Sequence, residues 1–257
     1  MMNKISSFKR KIIFKLNSKK KHERLNDIFF HVHNQDLIDD CENKNKNIKE
    51  CKYLFLGNQP VFKYLNNEKV LVARSFKKNI ENLIFFTAFT GWYCLWKNNL
   101  IKSKYITLLE YDVSLSCTFE EKLENQIHQE SKIIAFLPLS TRDLNFIEND
   151  NWVKEILFAI KKVYCIDLKS LIHTLSRNNE GLVWSSTSNT CFRYDVFIDY
   201  MLWFEPLIPY LKNSKYSGHA FERSISFYSL IHHIEICYVE NILEHHNLDS
   251  HLTQGTN

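Results

Sequence analysis

Apolar and polar positions in this chain fall into short dense runs separated by charged segments, with longer periodic stretches toward the C-terminal half. Asp27-Ile-Phe-Phe-His-Val-His33 is a compact apolar run closed by Asn34-Gln35-Asp36, the pattern of a buried strand that ends in polar residues. The charged, Asn-rich segment 39–50 reads as a loop. Tyr53-Leu-Phe-Leu56 with Gly57-Asn58 reads as a second strand and its turn. Residues 79–98 are apolar and rich in aromatics, which predicts a long helix buried on most sides. Tyr105-Ile-Thr-Leu-Leu109 is β-prone and apolar on both faces, like an interior strand of a largely parallel sheet, and it runs into Glu110-Tyr111-Asp112. After a charged helical segment, 132–137, 163–166, 182–184 and 234–238 read as further strands. Helices are expected over 151–162, 167–176, 193–203 and 219–233. Strands alternating with helices predict an α/β fold with a mostly parallel central sheet flanked by helices.

The first residues have a different character. Ile5, Phe8, Ile12 and Leu16 recur at helical spacing, with lysines over the remaining positions. Residues 1–24 hold nine Lys or Arg against one acidic residue, a balance of +8, so the rest of a chain with net charge +4 carries −4. Residues 1–25 are therefore read as a basic amphipathic arm and 26–257 as a single catalytic domain. Such an arm suits an anionic membrane surface; a solvated tail is the competing reading, and contact with RNA ranks third. A mildly acidic body argues against a diffuse nucleic-acid surface.

Composition narrows the class further. A chain of 257 residues with 45% hydrophobic and 14% aromatic residues has material for a real core. Five Gly and four Pro exclude collagen-like and flexible-linker architectures. The seven cysteines are odd in number and form no CxxC pair, which favours reduced thiols of a cytosolic protein over a disulfide framework or zinc site. No signal peptide or membrane-spanning run is expected. The expected location is cytoplasmic, with the inner membrane face as a peripheral alternative.

Three constellations carry candidate chemistry. Along an extended strand, side chains i and i+2 point the same way, so Glu110 and Asp112 can converge on one hard cation. Strand carboxyl ends are also where ligands bind in open α/β sheets. The bland alternative is a solvated strand end. In Ser217-Gly218-His219-Ala220-Phe221-Glu222-Arg223-Ser224, Gly218 can supply a tight turn before a helix, Glu222 a general base, and His219 and Arg223 contacts to phosphate or hydroxyl groups. The alternative there is a first-turn Glu beside its ion-pair partner. The histidine-rich end offers His245, His246 and Asp249-Ser-His251, either as a tail or as an imidazole folded back onto a metal; His232-His233 reads as a helix end. His31, His33 and Asn34 close the first strand, where a base or ribose can lie, and Arg74 can meet a pyrophosphate. Trp184-Ser-Ser-Thr-Ser-Asn189 suits sugar hydroxyls, with Ser188 read as a helix N-cap. No P-loop, Rossmann glycine fingerprint, HExxH or GxSxG occurs.

Tyr105-Ile-Thr-Leu-Leu-Glu-Tyr-Asp112 resembles the strand and DxD-type motif of GT-A glycosyltransferases, especially enzymes of bacterial surface-polysaccharide synthesis. The resemblance implies that Asp112 binds Mn²⁺ or Mg²⁺ together with the donor diphosphate. Glu110 stands where the family more often has Asp. It further implies Glu222 as the acceptor-side base and His251 as a C-terminal metal ligand, with His246 in reserve. Tyr111, His31, Asn34, Arg74, Asn189, His219 and Arg223 then form the donor- and acceptor-binding set. The implied reaction moves a sugar from a nucleotide-diphosphate donor to a glycan or lipid-linked acceptor. Competing readings are a metal-dependent phosphohydrolase or nucleotidyltransferase, and a non-catalytic nucleotide-sugar-binding protein.

Overall fold

A computed structural model describes residues 24–48, 50–64, 67–136, 138–141, 151–168, 182–185 and 187–246. Its strands in chain order are β1 (Arg24–Val32), β2 (Lys52–Phe55), β3 (Val70–Val72), β4 (Ser103–Glu110), β5 (Val113–Leu115), β6 (Ile133–Ala135), β7 (Pro138–Thr141), β8 (Leu182–Ser185), β9 (Thr190–Arg193), β10 (Ile236–Tyr238) and β11 (Leu243–His245). The helices are α1 (Asp36–Lys44), α2 (Ala88–Lys97), α3 (Phe119–His128), α4 (Asn151–Tyr164), α5 (Tyr194–Phe204) and α6 (Ser217–His232), with short helical turns between them.

Among the described residues a seven-stranded sheet runs in the order β10-β6-β9-β4-β1-β2-β3. It is parallel throughout except for β9, which is antiparallel to both β4 and β6. The mostly parallel α/β architecture expected from the sequence is thus present. Each face carries its own core. Phe29, Ile106, Leu108, Ile133 and Phe192 pack with residues of α2, α4, α5 and α6. Phe30, Tyr53, Phe55, Tyr105, Leu109 and Ile134 pack with α1 and α3 on the other side. Successive residues alternate across a sheet, so the central strands need apolar residues at every position, which is why β4 reads as a continuous run.

Several elements differ from expectation. The segment opening the supposed loop 39–50 is α1: Ile38 and Cys41 bury one side, Asp36 and Asp39 stand in the first turn, and Lys44 in the last. Lys44 also pairs with Asp40 at 2.7 Å, one helical turn away. The long helix over 79–98 is present only from Ala88, because Thr87 takes φ 43° and ψ −118°, a backbone conformation that no right-handed helix accommodates. Residues 163 and 164 continue α4 instead of forming a strand, and the Tyr164 ring stacks on Trp203 at 5.8 Å. The strand at 182–185 lies outside the main sheet, paired antiparallel with β7. Between β6 and β4 stands β9, a strand not expected from the sequence.

The basic arm lies outside the described residues except for Arg24 and Leu25, which already belong to β1. The helix expected over 167–176 lies outside them from residue 169 onward. Among the described residues no helix is long and apolar enough to cross a membrane.

Candidate functional site

Because β9 is antiparallel to β4, with Thr190 opposite Leu108, the residues just before β9 lie beside the carboxyl end of β4. Glu110, the last residue of β4, is held there by three hydrogen bonds. Its backbone N–H donates to Asn189 Oδ1 at 2.8 Å. Its Oε1 accepts from Ser188 Oγ at 2.8 Å, and its Oε2 from Asn189 Nδ2 at 3.1 Å. The second amide hydrogen of Asn189 goes to Thr187 Oγ1 at 2.8 Å. Ser188 and Asn189 are fully buried. Ser188 is therefore not a helix cap; α5 begins at Tyr194, and the residue before it is Arg193.

His31 stands opposite Glu110 in the parallel β1–β4 register, on the sheet face covered by α2. Its Nδ1 lies 3.1 Å from the Leu109 carbonyl, which can only accept, so Nδ1 carries the proton. Nε2 is then an acceptor, and it is buried with no hydrogen-bond partner among the described residues. Burial pushes the imidazole pKa down to about 4, against the opposing pull of the Glu110 charge and the Leu109 carbonyl. Helix α2 reaches this point because residue 91 is glycine. A Cβ there would lie 2.7 Å from Leu54 Cδ2 and 2.9 Å from His31 Cδ2.

The extended strand stops at Glu110, and Tyr111 and Asp112 form a turn into β5. The Tyr111 ring meets His33 edge-on at 4.8 Å, and its carbonyl accepts from Cys41 Sγ of α1 at 3.2 Å. Burial raises the Tyr111 phenol pKa, helped by the charges of Asp112 and Glu110. Asn45 fixes the strand that follows, donating to the Val113 carbonyl at 3.3 Å and accepting from the Leu115 N–H at 2.8 Å. Asp112 is buried, and its carbonyl accepts from the His246 N–H at 2.9 Å. That bond continues the antiparallel β11–β5 pairing, so the histidine-rich end of the chain returns to Asp112. His251 lies outside the described residues.

Among the described residues no three His, Cys, Asp or Glu side chains are grouped to hold a metal ion. Both Glu110 oxygens are already engaged by β9-side donors. A hard cation shared with phosphate oxygens needs only one or two protein carboxylates, with water completing its shell. A joint site of that kind would ask of the protein one carboxylate, such as Asp112, whereas a cation cage would ask for a cluster that the described residues do not form.

The second group sits on α6. Gly218 lies inside the first turn of that helix, and its role is close approach: a Cβ there would meet Thr87 Oγ1 at 2.7 Å and the Phe85 carbonyl at 3.1 Å. Glu222 Oε2 takes Arg223 Nη1 at 3.2 Å and faces His219 Nδ1 at 3.5 Å, with Glu222 and Arg223 side chains both largely buried. Phe221 anchors the helix against Trp92 and Phe89 of α2, at 4.7 and 4.8 Å. The strand-end group and the α6 group are thus joined through α2, which touches His31 at Gly91 and α6 at its N-terminal side.

The remaining candidates lie apart. Arg74 follows β3, is exposed, and donates to the Gly57 carbonyl at 3.3 Å. The N–H of Gly57 (φ 85°) bonds Glu81. Asn34 Oδ1 accepts the Asp36 N–H at 3.1 Å, shaping the turn into α1. Both follow carboxyl ends of parallel strands, the edge that also carries Glu110. Sequence reasoning singled out Asn189 but missed its tie to Glu110; a strand signal in Thr-Cys-Phe-Arg193 would have placed the two together.

No family model and no curated protein sequence matches the chain. Among solved structures 45 chains match it. One is the apo structure of the bifunctional glycosyltransferase WbbM, with a TM-score of 0.59 and 18% sequence identity over 86% of this chain and 45% of that one. The chain thus spans less than half the length of that protein. The likeness shows the fold: this sheet and its helices follow an arrangement found in a glycosyltransferase.

Proposed function

We propose that the chain is a glycosyltransferase that moves a sugar from a nucleotide-diphosphate donor to the hydroxyl of a glycan or lipid-linked acceptor. The observation that carries this reading is Asp112, a buried carboxylate in the turn after an interior strand, within a fold shared with a glycosyltransferase. Asp112 and the C-terminal segment that pairs beside it, with His246 and then His251, would hold Mn²⁺ or Mg²⁺. That ion would neutralise charge on the departing nucleoside diphosphate. Arg74, exposed beside the Gly57 turn, binds pyrophosphate oxygens. His31, His33 and Asn34 border the base and ribose, with Tyr111 as a stacking neighbour.

Glu222 takes the acceptor proton as the new glycosidic bond forms. Arg223 and His219 converge on its Oε2 and hold the carboxylate in one orientation. Residues 1–24 would dock the protein peripherally on an anionic inner membrane face, which liposome binding before and after their deletion checks. Polysaccharide assembly at a cytoplasmic surface is the setting this reading implies.

The direct test is release of nucleoside diphosphate from a panel of nucleotide sugars with Mn²⁺. One donor should be turned over, and Asp112→Asn should reduce turnover about 100-fold or more, the scale of losing a key electrostatic group. Full activity in Asp112→Asn, or no donor bound or hydrolysed across the panel, would overturn the reading.

A further inference from the structure

We infer that Glu110 and Asn189 form a positioning pair that sets the turn carrying Asp112, so that Glu110 acts through that turn and is not itself a metal ligand. The inference rests on the proposed function for what Asp112 does; the pair itself rests on hydrogen bonds alone. Glu110 accepts at both oxygens from Ser188 and Asn189, and both donors are buried. Its backbone N–H returns a bond to the same Asn189, so one carboxamide grips the residue at main chain and side chain together. The amide cannot turn over to swap its ends. Thr187 Oγ1 accepts its second hydrogen, and the Glu110 N–H requires the oxygen where it stands.

The consequence falls on the peptide that follows. Tyr111 and Asp112 leave β4 as a turn whose entry is set by Glu110 and whose exit is set by the Asp112–His246 and Asn45–Leu115 bonds. Glu110 faces the β9 side, and Asp112 lies in the turn beyond the strand.

A polarity swap separates positioning from ligation. Glu110→Gln alone can keep both contacts, its amide oxygen accepting from Asn189 and its amide hydrogens turning to the Ser188 hydroxyl, whereas Asn189→Asp alone sets two carboxylates against each other. In the double variant the charge moves to position 189. The new amide at position 110 can then accept from Ser188 and donate to the new carboxylate at position 189. That carboxylate still accepts the backbone N–H of position 110, while the Thr187 hydroxyl turns to donate. All the contacts survive, with the direction reversed where the exchanged groups meet each other and Thr187.

The experiment measures Mn²⁺-dependent binding of uridine, guanosine and cytidine diphosphates to the full chain, carrying the tightest through the series. Asp112→Asn should lose about 100-fold and Asn189→Asp about 10-fold, while Glu110→Gln and the double variant should stay within about 3-fold of the parent, the mark of a coupled pair. A Glu110→Gln or double variant weakened about 10-fold or more overturns the inference, because the charge at 110 would then be needed as a ligand. If the parent binds no metal–nucleotide pair, the proposed function fails, and the pair is judged on hydrogen exchange at amides 110–112. Exchange should quicken in Asn189→Asp and recover in the double; no recovery overturns the pair. Should a single variant fail to fold, a folded double variant is the same rescue, and an unfolded one the same refutation.

Discussion

Gly91→Ala tests whether α2 approaches the sheet as closely as the site requires. The added methyl would lie 2.7 Å from Leu54 Cδ2, 2.9 Å from His31 Cδ2 and 3.1 Å from Leu56 Cδ2. Leu54 is fully enclosed, and the His31 ring is tethered to the Leu109 carbonyl, so neither yields into open space. Overpacking of a closed core costs about 1–3 kcal/mol. Replacing a helical glycine by alanine returns about 1 kcal/mol. With two contacts this short, the strain belongs in the upper part of its range, leaving a net loss of about 1–2 kcal/mol. In a chain of this size that corresponds to a melting temperature lower by about 2–8 °C. Urea unfolding followed by circular dichroism measures it. Leu54→Ala removes the nearest obstacle, so the two substitutions together should cost about 1 kcal/mol less than their sum. A Gly91→Ala variant as stable as the parent, or more so, would refute the packing argument and with it the seating of His31.

Four further outcomes are expected. Thr87 holds φ 43°, a strained value for a β-branched residue costing about 1–3 kcal/mol, so Thr87→Gly should be neutral to stabilising despite the entropy of glycine. Gly218→Ala should destabilise the parent and do so less in the Thr87→Gly background, where the Oγ1 obstacle at 2.7 Å is gone; equal costs in both would contradict the contact. His31 has its pKa pushed down to about 4 in the folded chain against its ordinary value of 6.5, so the unfolded chain binds the extra proton between those values. Its contribution is complete above about pH 6.5 and falls as pH drops toward 4, by at most about 3 kcal/mol, and His31→Gln should flatten urea midpoints over that window. Glu222→Gln should cut glycosyl transfer by about 10²–10⁴-fold with donor binding unchanged; a loss confined to donor affinity would deny it the role of base.

What could be read from the sequence follows from how local each signal is. β1 and β4 are dense apolar runs buried on both faces, and α4 and α6 are long periodic stretches, so neighbours along the chain declare them. The 79–98 helix failed at Thr87 because one backbone angle ended it, and no feature of composition marks that angle. Helix α1 escaped notice because its buried side rests on little more than Ile38 and Cys41 amid charge. β9 is four residues long and acquires its meaning only between β4 and β6, far away in sequence.

The candidate site divides along the same line. The acidic triplet was visible because strand and acid are contiguous, yet the distant partners that hold it were not. Contiguity made Glu110 and Asp112 look alike, two residues apart on one extended chain. What distinguishes them is a pairing about eighty residues long in sequence separation, from Glu110 to Asn189, and a longer one from Asp112 to His246. Spacing in the chain proposes which groups could meet a ligand; the partner that arrives from elsewhere decides which of them is turned to structure instead.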